Sequence, residues 1–359
     1  ITCPCALGLA VPAVQVVASG RLFRSGVMIK DGAALEKLAA VDTVIFDKTG
    51  TLTRGEPQLV APLAVSTETL AIAAGLAQAS RHPLSRALVL EVNHRGIAPA
   101  DIGDTAEHPG LGLSGVYRGE AIRLGNRGWC GLEEAGEDKG LLEFAFRRGT
   151  RPAVVFQFED LLRGDAADSV AALKTKGLEV HLLSGDREAA VSRVAAATGI
   201  DHVVARATPQ AKLAYVEALA KAGRKVLMVG DGINDAPALA AGFTSMAPAT
   251  ASDIGRTAAE TVFMGESIGA VPSAIAVSTA AQAIARQNFT LAVGYNVLAV
   301  PLAMAGLVSP LVAAVAMSTS SIIVIANALR LGFAQRQALA IPRAAGNRTD
   351  KPEEMRSAA

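Results

Sequence analysis

The chain contains little cysteine, few aromatic residues and almost no net charge. Its 359 residues include 3 Cys, 4% aromatic residues and a formal net charge of +1. Three cysteines exclude a disulfide scaffold in practice, and we expect reduced thiols, as in a protein that faces the cytosol. A net charge near zero produces no global field for a polyanion, so we expect no nucleic-acid partner.

Charged residues are absent from two stretches near the ends of the chain. Residues 1–20 and 287–329 contain no Asp, Glu, Lys or Arg, and 51% of the whole chain is hydrophobic. About 20 apolar residues are enough to cross a bilayer. The pattern predicts a multi-pass membrane protein with terminal membrane segments and a central catalytic part. The chain also lacks an initiator Met and a signal-peptide pattern, and we expect it to be an amino-terminally truncated fragment.

Prolines interrupt the first apolar segment, residues 1–19. Pro4 and Pro12 forbid an unbroken helix because each removes a backbone donor, and Pro4 lies between Cys3 and Cys5. Irregular backbone at membrane depth is tolerated where it lines a site. We therefore expect the two thiols to face an ion site. The alternative is that both cysteines are simply small buried hydrophobic residues.

The second apolar region predicts a helical hairpin in the membrane. A helix over 267–286 leads to apolar runs near 287–306 and 310–329, and arginines flank the outer ends of these runs. Under the positive-inside rule both outer ends are cytoplasmic. The expected limits of the terminal parts are 1–19 for the end of a transmembrane helix, 267–332 for the later membrane part and 333–359 for a disordered tail.

The central part is organised around residues 47–53, DKTGTLT, which directly follow the apolar run 44–46. A β-branched and aromatic triplet predicts a short buried strand with Asp47 at its carboxyl end, where ligands bind in open α/β sheets. A carboxylate there, followed by Lys48 and by a glycine that lets backbone amides approach a ligand, suits a nucleophile that accepts a phosphoryl group. The alternative is a strand-end turn with a solvated aspartate.

Further strands, predicted at 154–158, 180–183, 203–205 and 226–229, alternate with helices. Such alternation indicates an α/β fold with a doubly wound parallel sheet. If the strands with polar ends are neighbours, four aspartates converge at one sheet edge, namely Asp47, Asp186, Asp231 and Asp235. Crowded carboxylates repel one another unless a cation joins them, and oxygen ligands select Mg²⁺. Helix capping alone would explain one such turn.

A lysine completes this predicted site. Lys212 lies one turn into a helix that begins at Thr208 and Pro209. Aimed at the sheet edge, it would hold phosphoryl oxygens as a point charge. The alternative is an exposed helix lysine.

Residues 57–152 differ in character, and we interpret them as an inserted domain. Helices are predicted over 67–79 and 83–94, and a hairpin joins 112–117 to 121–125. Glycine-rich turns beside strands can cradle a nucleotide, although each alone is weak support. Such turns occur at residues 109–115 and 124–127.

Together these motifs resemble the heavy-metal-transporting (CPx-type) P-type ATPases over nearly the whole chain. They comprise Cys3-Pro4-Cys5, DKTGTLT at 47–53, His82-Pro83, SGD at 184–186, Lys212 after Pro209, and GDGINDAP at 230–237. The resemblance implies a haloacid-dehalogenase-like phosphorylation domain in two parts, 20–56 and 153–266, with the nucleotide-binding domain inserted at 57–152. It also implies transmembrane helices at both ends, a bacterial inner membrane location and cytoplasmic catalytic domains.

The resemblance further implies an activity and a set of site residues. Family members couple ATP hydrolysis to metal export through an aspartyl phosphate, so ATP and Mg²⁺ are the expected cofactors. Asp47 would be the nucleophile, and Mg²⁺ would be held by Asp47, the Thr49 carbonyl and Asp231. The other expected catalytic residues are Lys48, Ser184, Gly185, Asp186, Lys212, Asn234 and Asp235. The resemblance also implies a set of ATP contacts in the inserted domain, namely His82, Gly110, Gly112, Gly125 and Asn126.

Two departures from the family pattern are visible. Ala77 stands where the family often has a Glu five positions before His82, so adenine recognition is expected to differ. No Thr-Gly-Glu occurs in the chain, although the family's actuator domain uses that loop for dephosphorylation. We therefore expect the actuator and amino-terminal metal-binding domains to be missing, and the fragment to bind nucleotide without pumping.

Copper(I) is the expected ion. Zinc-transporting relatives carry charged residues in the last two membrane helices, whereas 287–329 has none, and thiols with a thioether favour Cu(I). The resemblance gives as ligands Cys3, Cys5, Tyr295, Asn296, Met317 and Ser321. The alternative is that these polar residues only pack helices. Residues 30–36 and 81–86 are similar to the FixI/CcoI branch, which implies copper supply for cytochrome oxidase assembly and a copper chaperone as partner.

Three other interpretations stay open at this point. A soluble haloacid-dehalogenase phosphatase or phosphotransferase shares the Asp47 chemistry but commonly has a second Asp two positions on, where this chain has Thr49. A non-catalytic membrane copper receptor would leave the Gly-Asp turns unused. A P-type ATPase for zinc or another heavy metal would keep the catalytic residues and differ in its ion.

Overall fold

The computed structural model describes residues 8–61, 65–133 and 140–333, which fall into two compact units. One unit is Leu22–Thr279, and the other combines the described residues up to Arg21 with those from Ala280 onward. The strands are β1 Val27–Ile29, β2 Thr43–Asp47, β3 Thr53–Ala61, β4 Gly103–His108, β5 Gly112–Tyr117, β6 Glu120–Gly125, β7 Leu142–Arg148, β8 Val154–Leu162, β9 Glu179–Leu183, β10 His202–Val204, β11 Val226–Val229, β12 Thr244–Pro248 and β13 Thr261–Phe263. The helices are α1 Pro12–Arg24, α2 Ala33–Ala40, α3 Thr67–Ala77, α4 Pro83–His94, α5 Ala166–Thr175, α6 Glu188–Thr198, α7 Pro209–Lys221, α8 Ala236–Ala241, α9 Asp253–Ala258, α10 Ala270–Met304 and α11 Pro310–Phe333.

A seven-stranded sheet lies at the centre of the larger unit, in the order β1-β13-β12-β11-β2-β9-β10. Neighbouring strands are parallel except for β1 and β13. All residues of β2 and β11 are buried, as expected for strands that are covered on both faces. On one face, Ile45 and Met228 pack with Val216 of α7 and Leu239 of α8. The predicted doubly wound parallel sheet is confirmed.

A second, antiparallel sheet carries the region that we interpret as inserted. Its order is β3-β8-β7-β6-β5-β4, and α3 and α4 contribute Leu76 and Leu88 to its core. The two predicted helices are present as α3 and α4, and the predicted hairpin is present as β5 and β6.

The predicted strand 154–158 exists but belongs to the second sheet. It extends over Val154–Leu162 and pairs antiparallel with β3 and β7 instead of joining the parallel strands. Phe156 and Phe158 point to the same face and are fully buried in its core. An apolar run does not by itself distinguish a parallel from an antiparallel strand. The second sheet consequently extends past both predicted limits of the insert, 57 and 152.

The apolar carboxyl-terminal region forms two long helices. α10 is continuous over 35 residues with Pro301 inside it, so the predicted helix 267–286 and the run 287–306 are largely one element. Within the described part of the chain, Pro310–Gly332 is the one helix long and apolar enough to cross a membrane. The other predicted span of this hairpin, 287–306, stays a prediction. The predicted tail falls almost entirely on residues from 334 onward, which lie outside the described part of the chain.

Candidate active site

Asp47 lies at the carboxyl end of β2, between β9 and β11. Its side chain is buried, with 5% exposure. The chain then turns through a short π-helical loop, Lys48–Leu52, in which Gly50 has φ +70°. A side chain at Gly50 would place its Cβ 2.8 Å from Asp231 Oδ2. The backbone conformation therefore favours glycine, and the short distance shows how closely this loop approaches the turn after β11.

Two further carboxylates reach the same place from the turn after β11. One oxygen from each of Asp47, Asp231 and Asp235 lies within 4.8 Å of the others. Asp235 is 1% exposed, and its Oδ1 accepts a hydrogen bond from the Gly232 amide at 2.8 Å. Its Oδ2 is buried and has no hydrogen-bond partner among the described residues. A Cβ at Gly230 would lie 1.8 Å from that oxygen, so only glycine fits beside it.

Burial dominates the electrostatics of this cluster. Loss of hydration raises the pKa of Asp47 to about 7, and the nearby charge of Asp235 acts in the same direction. Burial also raises the pKa values of Asp231 and Asp235. For Asp47 the opposing contact is Lys212, which is buried on α7 and forms an ion pair with Asp47 Oδ1.

This donor set fits Mg²⁺. Three carboxylates converge, one of their oxygens is buried without a partner among the described residues, and burial raises the pKa values of all three above the ordinary range. A divalent cation with oxygen ligands would supply that compensation. The structure thus brings Asp47, Asp231 and Asp235 together as the sequence predicts, and Thr49 follows in the loop with an extended backbone.

The sequence predicts that Asp186 joins the carboxylate cluster, and this prediction is wrong. Asp186 forms an ion pair with Lys48 instead, and the Ser184 hydroxyl accepts a hydrogen bond from the Asp186 amide at 3.1 Å. The turn after β9 therefore supports Lys48, the residue that follows Asp47. Gly185 and Asp186 line a cavity of about 590 Å³ beside Lys48 and β8. Asn234 is exposed on the turn between Asp231 and Asp235.

The sequence analysis did not identify two residues at the end of β8, Asp160 and Arg163, that contact the loop Lys48–Leu52 and the residues after it. Thr53 Oγ1 lies 2.5 Å from Asp160 Oδ2 and 3.0 Å from the Lys48 carbonyl, and the Gly55 amide donates to Asp160 Oδ1 at 2.9 Å. Arg163 is 5% exposed and also contacts the loop. The available signal was the pair of charged residues Asp160 and Arg163, which flank the last two apolar residues of β8.

The glycine-rich turns of the second sheet also come together. Asn126 donates from its side-chain amide to the Gly110 carbonyl at 3.0 Å, and Gly112 pairs with Gly125 across β5 and β6. A Cβ on Gly112 would lie 2.5 Å from the Gly125 Cα, so the two backbones are in contact. Both glycines therefore have a packing role whatever else they contact.

His82 lies at the start of α4. Its Nδ1 accepts a hydrogen bond from the Leu84 amide at 3.3 Å, and its ring stacks on Phe144 at a centroid distance of 5.4 Å. Ser80 connects this turn to β4 because its hydroxyl donates to Glu107 Oε1 at 2.7 Å and accepts from the His82 amide at 3.1 Å. The exposed imidazole is free to contact a ligand.

The predicted membrane ligands are only partly brought together. Tyr295 of α10 and Ser320 of α11 line a cavity of about 380 Å³, whereas Asn296, Met317 and Ser321 are not among its lining residues. The Asn296 side chain donates to the Ala292 carbonyl at 2.8 Å, and the Ser321 hydroxyl donates to the Met317 carbonyl at 3.2 Å. The other two predicted ligands, Cys3 and Cys5, lie outside the described residues. This ligand set stays a prediction.

A second cluster, Glu179, His181 and His202, does not have the geometry of a metal site. The two imidazole rings stack at 4.6 Å with planes 19° apart, so no ion can lie in both ring planes, where the nitrogen lone pairs point. His181 is already satisfied, because its ring nitrogens lie 2.9 Å from the Tyr215 hydroxyl and 3.0 Å from Glu179 Oε1. Burial and the adjacent His202 lower the pKa of His181 to about 4. We interpret the cluster as a hydrogen-bonded network.

Comparison with known proteins agrees with this site. Residues 41–242 match the haloacid dehalogenase-like hydrolase family. The nitrogen fixation protein FixI of Rhizobium leguminosarum bv. viciae is 53% identical over 350 residues, which is 96% of this chain and 46% of that protein. A copper-exporting P-type ATPase of Mycobacterium tuberculosis is 38% identical over 349 residues, or 92% of this chain and 45% of that protein. The chain thus spans about half the length of the curated relatives it matches.

Solved structures give the same result. A zinc-transporting PIB-type ATPase in its E2.Pi state superposes with a TM-score of 0.80 at 30% identity, over 92% of this chain and 56% of that one. The catalytic domain of the CPx-ATPase CopB-B superposes with a TM-score of 0.59 at 28% identity, over 74% of this chain and 98% of that one. The chain belongs to the haloacid dehalogenase-like hydrolase family and, within it, to the heavy-metal (CPx-type) P-type ATPases.

Proposed function

We propose that this chain is the catalytic and carboxyl-terminal membrane part of an ATP-driven Cu(I) exporter that works through an aspartyl phosphate on Asp47. The observation that carries the proposal is the position of Asp47. It is buried at the end of β2, paired with Lys212, and within 4.8 Å of two further carboxylates. A lone solvated aspartate in a turn would have none of these neighbours.

The chemistry follows from which oxygen of Asp47 is engaged. Lys212 binds Oδ1, so we assign the attack on the γ-phosphorus of ATP to Oδ2. A new bond forms between Oδ2 and phosphorus, and the bond from phosphorus to the β,γ-bridging oxygen breaks, which releases ADP. Lys212 favours the ionised nucleophile and is placed to stabilise phosphoryl oxygens. Mg²⁺, held by Asp47, Asp231, Asp235 and the Thr49 carbonyl, would neutralise the phosphate charge.

Two features favour a phosphoenzyme with a long lifetime over a simple phosphatase. Position 49 is Thr, so the loop supplies no second carboxylate to activate water beside the acyl phosphate. Lys48, the neighbouring side chain, is already paired with Asp186. We infer that the loop is built for formation of the acyl phosphate and that its hydrolysis needs a group from elsewhere in the full-length gene product.

The proposed aspartyl phosphate is tested by labelling the chain with ATP that carries ³²P in the γ-position. The expected result is label that survives acid and is released by hydroxylamine, and that is lost in Asp47→Asn. Asp101→Asn, which changes an exposed aspartate in a loop, is the matched control and should label as the parent does. Equal labelling of the Asp47→Asn variant and the parent would refute the assignment.

The ion is proposed from the membrane segments and from the relatives. The copper-exporting relative of Mycobacterium tuberculosis and the absence of charge in 287–329 favour Cu(I), with the predicted ligands Cys3, Cys5, Tyr295, Asn296, Met317 and Ser321. Zinc is the second candidate because one matching structure is a zinc-transporting PIB-type ATPase. Stimulation of ATP hydrolysis in the full-length gene product by Cu(I) under reducing conditions is expected. Stimulation by Zn²⁺ alone would overturn the choice of copper.

The cellular setting is proposed on the same basis. We place the chain in the inner membrane of a bacterium with its catalytic domains in the cytoplasm, and we expect a copper chaperone to deliver the ion. The actuator and metal-binding domains would complete the pump.

A further inference from the structure

Arg163 is a buried cation without a hydrogen-bonded carboxylate among the described residues. Its guanidinium donates to three carbonyls, those of Thr51 at 2.7 Å, Glu266 at 2.8 Å and Gly50 at 3.2 Å. Its own amide donates to the Leu52 carbonyl at 2.9 Å. Burial lowers the pKa of Arg163, but a guanidinium stays protonated in a protein. A charge in this position is costly to bury, so its contacts have to be nearly complete.

These contacts fix the orientation of peptide groups in the loop Lys48–Leu52, which follows Asp47 and which we call the phosphorylation loop. The carbonyls of three consecutive residues, 50 to 52, all point to Arg163. In a trans peptide the N–H points away from the C=O, so the amides that follow each carbonyl are turned away from Arg163. Arg163 thereby sets the orientation of the three peptide groups between Gly50 and Thr53. A lysine has the charge but cannot make three such bonds in a fixed fork.

Asp165, two residues on, holds a different segment. Its carboxylate accepts from the Ser267 hydroxyl at 2.5 Å, the Gly269 amide at 2.9 Å and the Ile268 amide at 3.3 Å. These residues directly precede α10. Asp165 itself occupies the position before α5 yet makes no side-chain cap there. Its side chain therefore serves the start of α10 instead of the start of its own helix.

The side chains of Arg163 and Asp165 bind the same segment, residues 266–269. Arg163 binds the carbonyl of residue 266, and Asp165 binds residues 267–269. Arg163 also binds the phosphorylation loop on its other side. A displacement of residues 266–269 cannot leave Arg163 unaffected, because the Glu266 carbonyl is one of the three acceptors of its guanidinium.

We propose that Arg163 and Asp165 are positioning residues that couple the phosphorylation loop to the start of α10, the helix that runs on into the apolar region from residue 287. This inference rests on the proposed phosphoryl transfer to Asp47. Neither side chain touches the reacting atoms. Arg163 transmits the position of the helix start to the loop, and Asp165 keeps the helix start attached to Arg163.

We expect different effects from substitutions of Asp165 and of Arg163. Asp165→Asn removes charge and half of the acceptor capacity but leaves the loop contacts intact. ATP should label Asp47 with an unchanged KM for ATP. The ratio of labelling with the transported ion to labelling in chelator should fall by about threefold or more. Arg163→Lys disturbs the loop directly, and the labelling rate should fall by about tenfold or more.

The experiment uses the full-length gene product in membrane vesicles, with labelling measured in chelator and with Cu(I) or Zn²⁺ added. Asp168→Asn, an exposed aspartate on α5, is the matched control and should behave as the parent. Limited proteolysis of each variant shows whether it folds. If a variant is misfolded, Asp165→Glu and Arg163→Gln replace it.

The outcomes separate this inference from the proposed function. A parent that ATP does not label contradicts the aspartyl phosphate itself. A labelled parent with folded Asp165 variants whose ion dependence is unchanged contradicts the link and leaves the aspartyl phosphate standing. Loss of labelling in Asp165→Asn at saturating ATP would also contradict it, because that result assigns Asp165 to the chemistry.

Discussion

The proposed phosphorylation site around Asp47 and the proposed nucleotide-binding turns of the second sheet are built in opposite ways. At the first, Asp47, Lys212 and Asp235 are all at most 5% exposed, and their charges oppose one another. At the second, Gly112 and Gly125 bring two backbones into contact, and His82 is exposed. A site that reacts stores electrostatic energy in buried groups, whereas a site that only holds a ligand presents backbone and surface. Substitutions should therefore affect the first region much more than the second.

The largest expected effect comes from removing the buried cation of the phosphorylation site. Lys212→Ala leaves three carboxylates without their one opposing charge, so Asp47 should hold its proton more tightly and phosphoryl oxygens should lose a partner. We expect the labelling rate to fall by about 100-fold. The measurement is rapid-quench labelling at saturating ATP. Lys221→Ala at the exposed end of the same helix is the control, and a comparable loss there would remove the contrast between the two regions.

A second prediction concerns the borders of the second sheet. A piece ending at residue 152 lacks β8, which supplies Phe156 and Phe158 to the core. We expect residues 53–162 to fold alone and residues 57–152 to unfold or aggregate, since loss of a buried aromatic side chain costs about 3–5 kcal/mol. Circular dichroism during urea titration checks this. Cooperative unfolding of both pieces with the same midpoint would mean that β8 is dispensable.

These comparisons also indicate how far the sequence could lead. The parallel sheet, the position of Asp47 and the hairpin of β5 and β6 followed from local patterns, because strand length and polar strand ends are local properties. Local patterns did not show which sheet contains β8, since its apolar run is compatible with either sheet. The partner of Asp186 and the roles of Arg163 and Asp165 depend on which segments meet in three dimensions. No spacing along the chain reports contacts between residues 163 and 266.

A smaller effect is expected at His82. His82→Ala removes an exposed imidazole that stacks on Phe144, so ATP binding to residues 53–162 should weaken by about three- to tenfold, or roughly 1 kcal/mol. Labelling of Asp47 at saturating ATP should stay unchanged. Isothermal titration with ATP checks the first claim. His94→Ala, at the far end of α4, is the control, and equal affinities of the two variants would remove His82 from the site.

The smallest predicted effect is a dependence of Mg²⁺ stabilisation on pH. The pKa of Asp47 is raised from 3.8 to about 7, so its contribution to folding is present at low pH and is lost as the pH rises from about 4 to about 7. Mg²⁺ binds the ionised form and offsets that loss. The increase in Tm on adding Mg²⁺ should therefore be larger at pH 8 than at pH 6, by about 2–4 °C. An increase that is equal at both pH values would contradict the raised pKa.

The most direct measurement of the central claim is to locate the phosphoryl group chemically. Borohydride reduces an aspartyl phosphate to homoserine, which marks the modified position with a change in mass. After phosphorylation by ATP and reduction, peptide mass spectrometry should find homoserine at position 47 and at no other aspartate. Homoserine at position 186, 231 or 235, or an unmodified peptide from a chain that carries label, would contradict the assignment of Asp47 as the nucleophile.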